Sequence, residues 1–198
     1  MRPEKLLIIT APSGSGKTTL VRRLLAARPE LRFSISACTR APRGTEVHGQ
    51  DYYFIAAAQF QELVQQEAFV EWEMVYEGKY YGTLKSEITR IWDSGHYPLV
   101  DIDVKGALAI QKQYPAASLS IFIQPPSLEE LRRRLLYRGT ETPQSLEERV
   151  AKAAFELTFA SAFDVVLVND DLEMATQHML AIVEEFLGVG QSQGVALG

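Results

Sequence analysis

Apolar residues in this chain gather in short unbroken runs separated by stretches of helical spacing. Leu6 to Thr10, Phe33 to Ala37, Tyr97 to Asp103, Leu119 to Gln124 and Val165 to Asn169 read as strands buried on both faces. Helical patterns lie between them, most clearly Lys17 to Ala27, where Leu20, Val21, Leu24 and Leu25 share one side. This alternation predicts an α/β fold, a parallel sheet flanked by helices. It breaks down twice. Between Arg40 and Thr83, DYYFI and FVEWEMVYEGKYYG read as short antiparallel strands around one helix near Ala57 to Gln66, and the segment is too polar and aromatic for a linker. It predicts a small inserted lobe for a second ligand. From Pro125 to about Ala153 an irregular, basic segment containing RGTETPQS reads as a mobile lid. The organisation predicted is one domain: a core of about 1–35, 85–124 and 154–187, a lobe of about 36–84, a lid of about 125–153 and a disordered Gly- and Gln-rich tail of about 188–198.

Composition narrows the class. A chain of 198 residues, 46% of them apolar, can build one sizeable core, and its net charge of −5 argues against a nucleic-acid surface. The basic residues are nevertheless uneven, with Arg132, Arg133, Arg134 and Arg138 close together. The single cysteine, Cys38, cannot form an internal disulfide, which suits a reducing compartment. His48, His96 and His178 lie far apart and have no second cysteine, so no zinc site is expected. No apolar run reaches the ~18 residues of a membrane span, and MRPEK followed by LLIIT is too short for a signal peptide. The expectation is a cytoplasmic protein with neither a membrane nor a nucleic-acid partner.

Three motifs carry the chemistry. In IITAPSGSGKTT, residues 8 to 19, an apolar strand feeds a turn of Ala11, Pro12, Ser13, Gly14, Ser15 and Gly16, then Lys17, Thr18 and Thr19. Such a turn brings backbone N–H groups to phosphate oxygens, and the helix that follows points its positive end at them. Lys17 would reach the outer phosphates of a nucleoside triphosphate and the Thr18 hydroxyl would ligate Mg²⁺. Ala11 stands where the GxxxxGK[ST] pattern has Gly, a mild departure. In LVDIDVKG, residues 99 to 106, alternation along a strand would set Asp101 and Asp103 on one side of its carboxyl end, where Asp101 is a candidate to hold Mg²⁺ directly or through water. In SISACTRAPRGTEVHGQDYYF, residues 34 to 54, Arg40 and Arg43 flank a stiff Ala41-Pro42 link and are placed to grip one dianionic phosphate, with Tyr52 or Tyr81 adding neutral donors.

Taken in order, these motifs resemble guanylate kinase from about residue 5 to residue 187. The resemblance rests on APSGSGKTT, SxSxxTRxPR followed by EVxGxDYxF, FxEW at 69 to 72, YYGT at 80 to 83, DIDVKG, the PPSxEELxxRLxxRGTET segment and VNDD ending at Asp171. It implies a P-loop parallel sheet with a monophosphate-binding lobe and a helical lid, and reversible transfer of the ATP γ-phosphoryl group, with Mg²⁺, to GMP or dGMP. Arg40, Arg43, Tyr52 and Tyr81 would bind the GMP phosphate; Ser36, Glu71, Thr83 and Asp103 would surround the guanine. Lys17, Arg134, Arg138 and Arg149 would be catalytic, and Asn169, ending the last strand, would lie near the adenine. Arg132 and Arg133 would face elsewhere on their helix. The chemistry of the base agrees: a carboxylate such as Glu71 takes the N1–H and amino donors of guanine while a hydroxyl such as Ser36 gives to O6, and adenine lacks that donor pair.

Three positions depart from the family pattern. Thr45 precedes Glu46 where Gly is usual, with Gly44 one place earlier, Cys38 replaces Thr or Ser, and Lys105 replaces Gln. Two other readings stay open from sequence. One is a kinase for another nucleotide or a phosphorylated sugar on the same scaffold, against which Glu71, Ser36 and YYGT argue. The other is a non-catalytic guanylate-kinase-like binding module, against which the intact phosphate loop and arginines argue.

Overall fold

Leu6, Leu7, Ile8 and Ile9 are all fully buried, as an apolar strand without polar alternation must be when both faces of its sheet are covered. The computed structural model describes residues 4–137 and 142–188. In chain order its elements are β1 (Leu6–Thr10), α1 (Lys17–Ala27), β2 (Leu31–Phe33), β3 (Ala37–Cys38), β4 (Tyr53–Phe54), α2 (Ala57–Gln65), β5 (Phe69–Tyr76), β6 (Lys79–Leu84), α3 (Lys85–Asp93), β7 (Tyr97–Asp101), α4 (Val104–Gln113), β8 (Ser118–Gln124), α5 (Leu128–Tyr137), α6 (Pro143–Leu157), β9 (Val165–Val168) and α7 (Leu172–Leu187). They form the expected α/β fold: a five-stranded sheet in the order β2-β7-β1-β8-β9, and a separate mixed sheet in the order β4-β3-β6-β5. In the larger sheet β2 and β1 both pair parallel with β7, and β8 pairs parallel with β9. The described residues fall into two compact units, 4–9 with 29–120 and 10–28 with 121–188.

In the first unit the smaller sheet has its own core, where Ala37, Phe60 and Phe69 are buried together and the Phe60 ring stacks on Phe69 and Tyr80. The hairpin β5–β6 is antiparallel, as expected, and turns at Gly78, whose φ of 69° favours glycine. The DYYFI segment differs from expectation, because its short strand β4 pairs parallel with β3 through Tyr53 N–H to Ser36 O and Ile55 N–H to Cys38 O. The run Phe33 to Ala37 is not one strand either. After Ser34 N–H bonds to Leu99 O, the next amide, Ile35 N–H, donates 3.3 Å to the carboxylate of Glu87 instead of continuing the ladder. The chain then crosses from one sheet to the other. Glu87 is 2% exposed and also accepts from the Tyr53 hydroxyl at 2.9 Å and from Arg90 through both oxygens. Burial pushes its pKa up, but those donors outweigh burial and hold it below the ordinary value.

In the second unit, the segment that read as an irregular lid is mostly helical. Leu131, Leu135, Leu146 and Ala153 of α5 and α6 bury one another, with Val150 packed alongside. The TPQS stretch starts α6: Thr142 accepts from Ser145 N–H, Ser145 Oγ accepts from Thr142 N–H, and Pro143 occupies the first turn. Residues 138–141 and the tail 189–198 lie outside the described residues. No helix among the described residues is long and apolar enough to cross a membrane.

Candidate active site

The first unit holds a cavity of about 230 Å³ whose lining includes Ser36, Tyr52, Glu71, Glu73, Tyr81, Asp101 and Asp103. Strand register supplies its centre. Glu71 on β5 faces Thr83 on β6, whose N–H donates 2.9 Å to Glu71 Oε1. Burial raises the Glu71 carboxyl to about 7; the Thr83 hydrogen bonds oppose that, and the neighbouring Asp103 and Glu73 charges add to it. Room for this carboxylate comes from Gly106: a Cβ there would stand 2.5 Å from Ile102 Cδ1 and 3.2 Å from Glu71 Oε2.

Asp103 reaches the cavity by a route that strand alternation does not describe. Strand β7 ends at Asp101, and Asp103 caps α4, its Oδ1 accepting from Gly106 N–H at 2.8 Å. Half of its carboxylate is therefore committed to the helix. Sequence reasoning missed Glu73, which stands two residues beyond Glu71 on β5 and so shares its face. Burial and a hydrogen bond with Asp103 raise the Glu73 pKa, and Lys105 Nζ lies 3.5 Å from it. The unusual Lys105 thus meets a carboxylate.

Arg40 lies beside Tyr52, with its guanidinium carbon 4.8 Å from that ring's centre, and the Tyr52 and Tyr81 rings meet edge to face. Both Nη atoms of Arg40 are engaged by Glu46, at 2.5 and 2.7 Å, a second residue the sequence reading passed over. The Arg40 hydrogen bond, with help from Arg43 N–H, holds Glu46 down at about 2. The displaced glycine finds its reason here, since Gly44 takes the left-handed conformation (φ 54°) in the turn that carries Arg43 and Glu46. The Arg43 side chain is exposed and borders no described part of the cavity.

The second unit holds the loop between β1 and α1. Gly14 (φ 96°) and Gly16 (φ 87°) adopt backbone conformations that side chains disfavour, and Gly16 caps α1, accepting from Thr19 and Leu20 N–H. Ala11 and Pro12 are buried, Ser13, Thr18 and Thr19 exposed, and Lys17 opens the helix. Ser15 is fully buried and its N–H closes a turn onto Pro12 O. A cavity of about 490 Å³ is lined by Gly14, Gly16, Arg133, Arg134 and Tyr137. Arg133, expected to face elsewhere, therefore borders this cavity with Arg134, whereas Arg132 turns to Glu147 on α6. The two are joined through Glu130, which accepts from both at 2.8 to 2.9 Å. Arg149 Nη1 donates to Ser13 Oγ at 3.2 Å. Arg138 lies outside the described residues. Asn169 is buried, and its Nδ2 donates 2.7 Å to Ser15 O.

One unit thus holds a glycine-rich turn that opens a helix, and the other holds a carboxylate-lined cavity. The guanylate kinase family profile matches residues 3–186. The chain belongs to the guanylate kinase family. It is 48% identical over 185 residues to a guanylate kinase of Bacteroides fragilis, covering 93% of this chain and 91% of that protein. It is 47% identical to one of Porphyromonas gingivalis, over 92% of this chain and 98% of the relative. Its fold matches the crystal structure of guanylate kinase from Anaplasma phagocytophilum with a TM-score of 0.72 at 31% identity, covering 93% of this chain and 87% of the other. Like other guanylate kinases it is a nucleotide kinase with an ATP-binding P-loop.

Proposed function

We propose that this enzyme transfers the γ-phosphoryl group of ATP to the phosphate of GMP, and of dGMP, giving GDP or dGDP and ADP in purine nucleotide metabolism. The observation that supports this acceptor is Glu71, a carboxylate in a cavity of the first unit, with Ser36, Thr83 and Asp103 nearby in the same unit. Ionised, it accepts the N1–H and amino donors of guanine; AMP would leave it unpaired, at a cost of about 1–3 kcal/mol or more. Arg40, Arg43, Tyr52 and Tyr81 are assigned to the acceptor phosphate, which requires the Arg40 fork to exchange Glu46 for phosphate oxygens.

The loop from Ala11 to Thr19 is assigned to the ATP phosphates, with Lys17, Arg134, Arg138 and Arg149 as the cations that offset charge between two polyanions. That repulsion is about 4 kcal/mol per unit charge pair at ~4 Å and an effective dielectric of 20. Mg²⁺ prefers oxygen ligands and shares them with substrate phosphates, and the exposed Thr18 hydroxyl and the Asp101 carboxylate are donors of that type. When bound it would neutralise phosphate charge. Both substrates are cytoplasmic metabolites, and the cytoplasm is the proposed compartment. The test is ADP formation with GMP, dGMP, AMP, UMP, dTMP and ribose bisphosphate as acceptors. GMP and dGMP should lead the series by a factor of 10² or more, and a preference for any other acceptor would overturn the assignment.

A further inference from the structure

Asn169 follows β9 directly, and its own N–H continues the pairing of that strand by donating to Gln124 O at 2.8 Å. Its side chain is thereby aimed at the phosphate loop of the same unit. The residue is 4% exposed, and Nδ2 donates 2.7 Å to Ser15 O. The orientation of the amide is dictated, because rotating it would set Oδ1 against a carbonyl oxygen. A Cβ on Gly16 would lie 2.3 Å from the same Nδ2, so only glycine leaves space for this contact. Gly16 in turn caps α1 and precedes Lys17.

A trans peptide is planar, with its C=O and the next N–H pointing in opposite directions. Pinning the Ser15 carbonyl therefore fixes the Gly16 N–H to point the opposite way within that plane, and fixes the point from which Lys17 departs. A buried amide with a donor spent on the backbone is poorly suited to reading a base. It is well suited to holding a loop whose ligand contacts are made by the main chain.

We propose that Asn169 is a positioning residue for the triphosphate: it braces the Ser15–Gly16 peptide, and it acts on phosphate binding whatever base the nucleotide carries. This rests on the assignment of the loop to the donor. The experiment uses the full chain and Asn169→Asp, which keeps the shape but replaces the Nδ2 donor with an acceptor. Affinities for ATP, GTP and inorganic tripolyphosphate are measured by calorimetry, together with kcat and both KM values. Losing one donor to a buried carbonyl predicts a weakening of about tenfold or more. The same factor should apply to all three triphosphates, with the KM for GMP unchanged. Loss for ATP with tripolyphosphate binding intact would overturn the proposal in favour of a base contact, and unchanged binding of all three would overturn it in favour of simple packing. Asn169→Ser, which removes the amide without adding charge, is measured in parallel and read by the same criteria, because the charge of the Asp would by itself repel all three triphosphates. It also serves if Asn169→Asp is recovered unfolded. Failure of the parent enzyme to phosphorylate GMP would refute the proposed acceptor but leave the comparison among triphosphates decisive for Asn169.

Discussion

The two units build their candidate sites in different ways. The loop from Ala11 to Gly16 is built from main chain: two glycines with positive φ, a helix start and a carbonyl held by Asn169. Its donors are backbone N–H groups, alike whichever residue carries them, although Pro12 has none and the Ser15 N–H is spent on Pro12 O. The cavity around Glu71 is built from side chains contributed by separate strands, loops and a helix start, and carboxylates dominate its lining. Its chemistry depends on which side chains are present and on their protonation. A main-chain site therefore occupies one contiguous motif, whereas a side-chain site is scattered over residues 36 to 103 and exists only once the strands are in register.

That contrast predicts mutational effects confined to one side. The largest is expected for Lys17→Ala, which should lower kcat about 10³-fold by removing a cation from the developing charge. GMP affinity measured by calorimetry should stay within about twofold, since Lys17 belongs to the unit that lacks the carboxylate cavity. An equal loss of GMP binding would break the division of labour.

Next comes Glu71→Gln, for which kcat/KM toward GMP should fall about 10- to 100-fold, the worth of hydrogen bonds to a charged acceptor, with KM for ATP unchanged. The raised carboxyl adds a pH signature. With a pKa of about 7 in the folded enzyme, GMP affinity should climb as pH rises through 7 and the carboxylate forms, and the variant should lose that climb. Stability has the opposite sign. Because folding raises this pKa from 4.5, the native state holds the proton more tightly than the unfolded chain. Stability therefore falls as pH rises from about 4.5 to about 7, and Glu71→Gln should melt higher than the parent at pH 8 while matching it below pH 4.5. A flat melting difference across that range would contradict the buried, protonatable carboxyl.

The smallest effect is expected at Lys105→Gln. Its partner Glu73 lies 3.5 Å away and the lysine side chain is 76% exposed, so screening leaves the pair worth about 0–1 kcal/mol. GMP KM should change by less than about threefold, and a larger change would give Lys105 a part in binding the proposed acceptor.

Much of this was legible in residue order. Lys17–Ala27 is the predicted helix to the residue, and Leu6–Thr10 is the predicted strand. Both are set by local rules: unbroken apolar length for a doubly covered strand, and a glycine turn opening an amphipathic helix. The errors lie where a side chain competes for the backbone, either from far along the chain or from three residues away. Phe33 to Ala37 reads as one strand, but buried Glu87 takes the Ile35 N–H and sends the chain into a second sheet. Tyr97 to Asp103 reads as one strand, but Asp103 turns back to cap α4. The TPQS stretch reads as irregular because its polar residues hide a capping box.

The sequence by itself therefore determined the α/β layering and the phosphate loop, because those depend on periodicity and on groups close together in the chain. The candidate base-reading residues were legible only through the family resemblance of their motifs. Tertiary structure alone decided how those residues are used. Register across β5 and β6 brought the Thr83 amide to Glu71, burial raised that carboxyl to about 7, Glu46 claimed the Arg40 fork, and Asn169 was turned onto the Ser15 carbonyl. The physical reason is range: periodicity and turn chemistry act over a few residues, whereas desolvation and hydrogen-bond pairing are fixed by neighbours that only folding brings within about 3 Å.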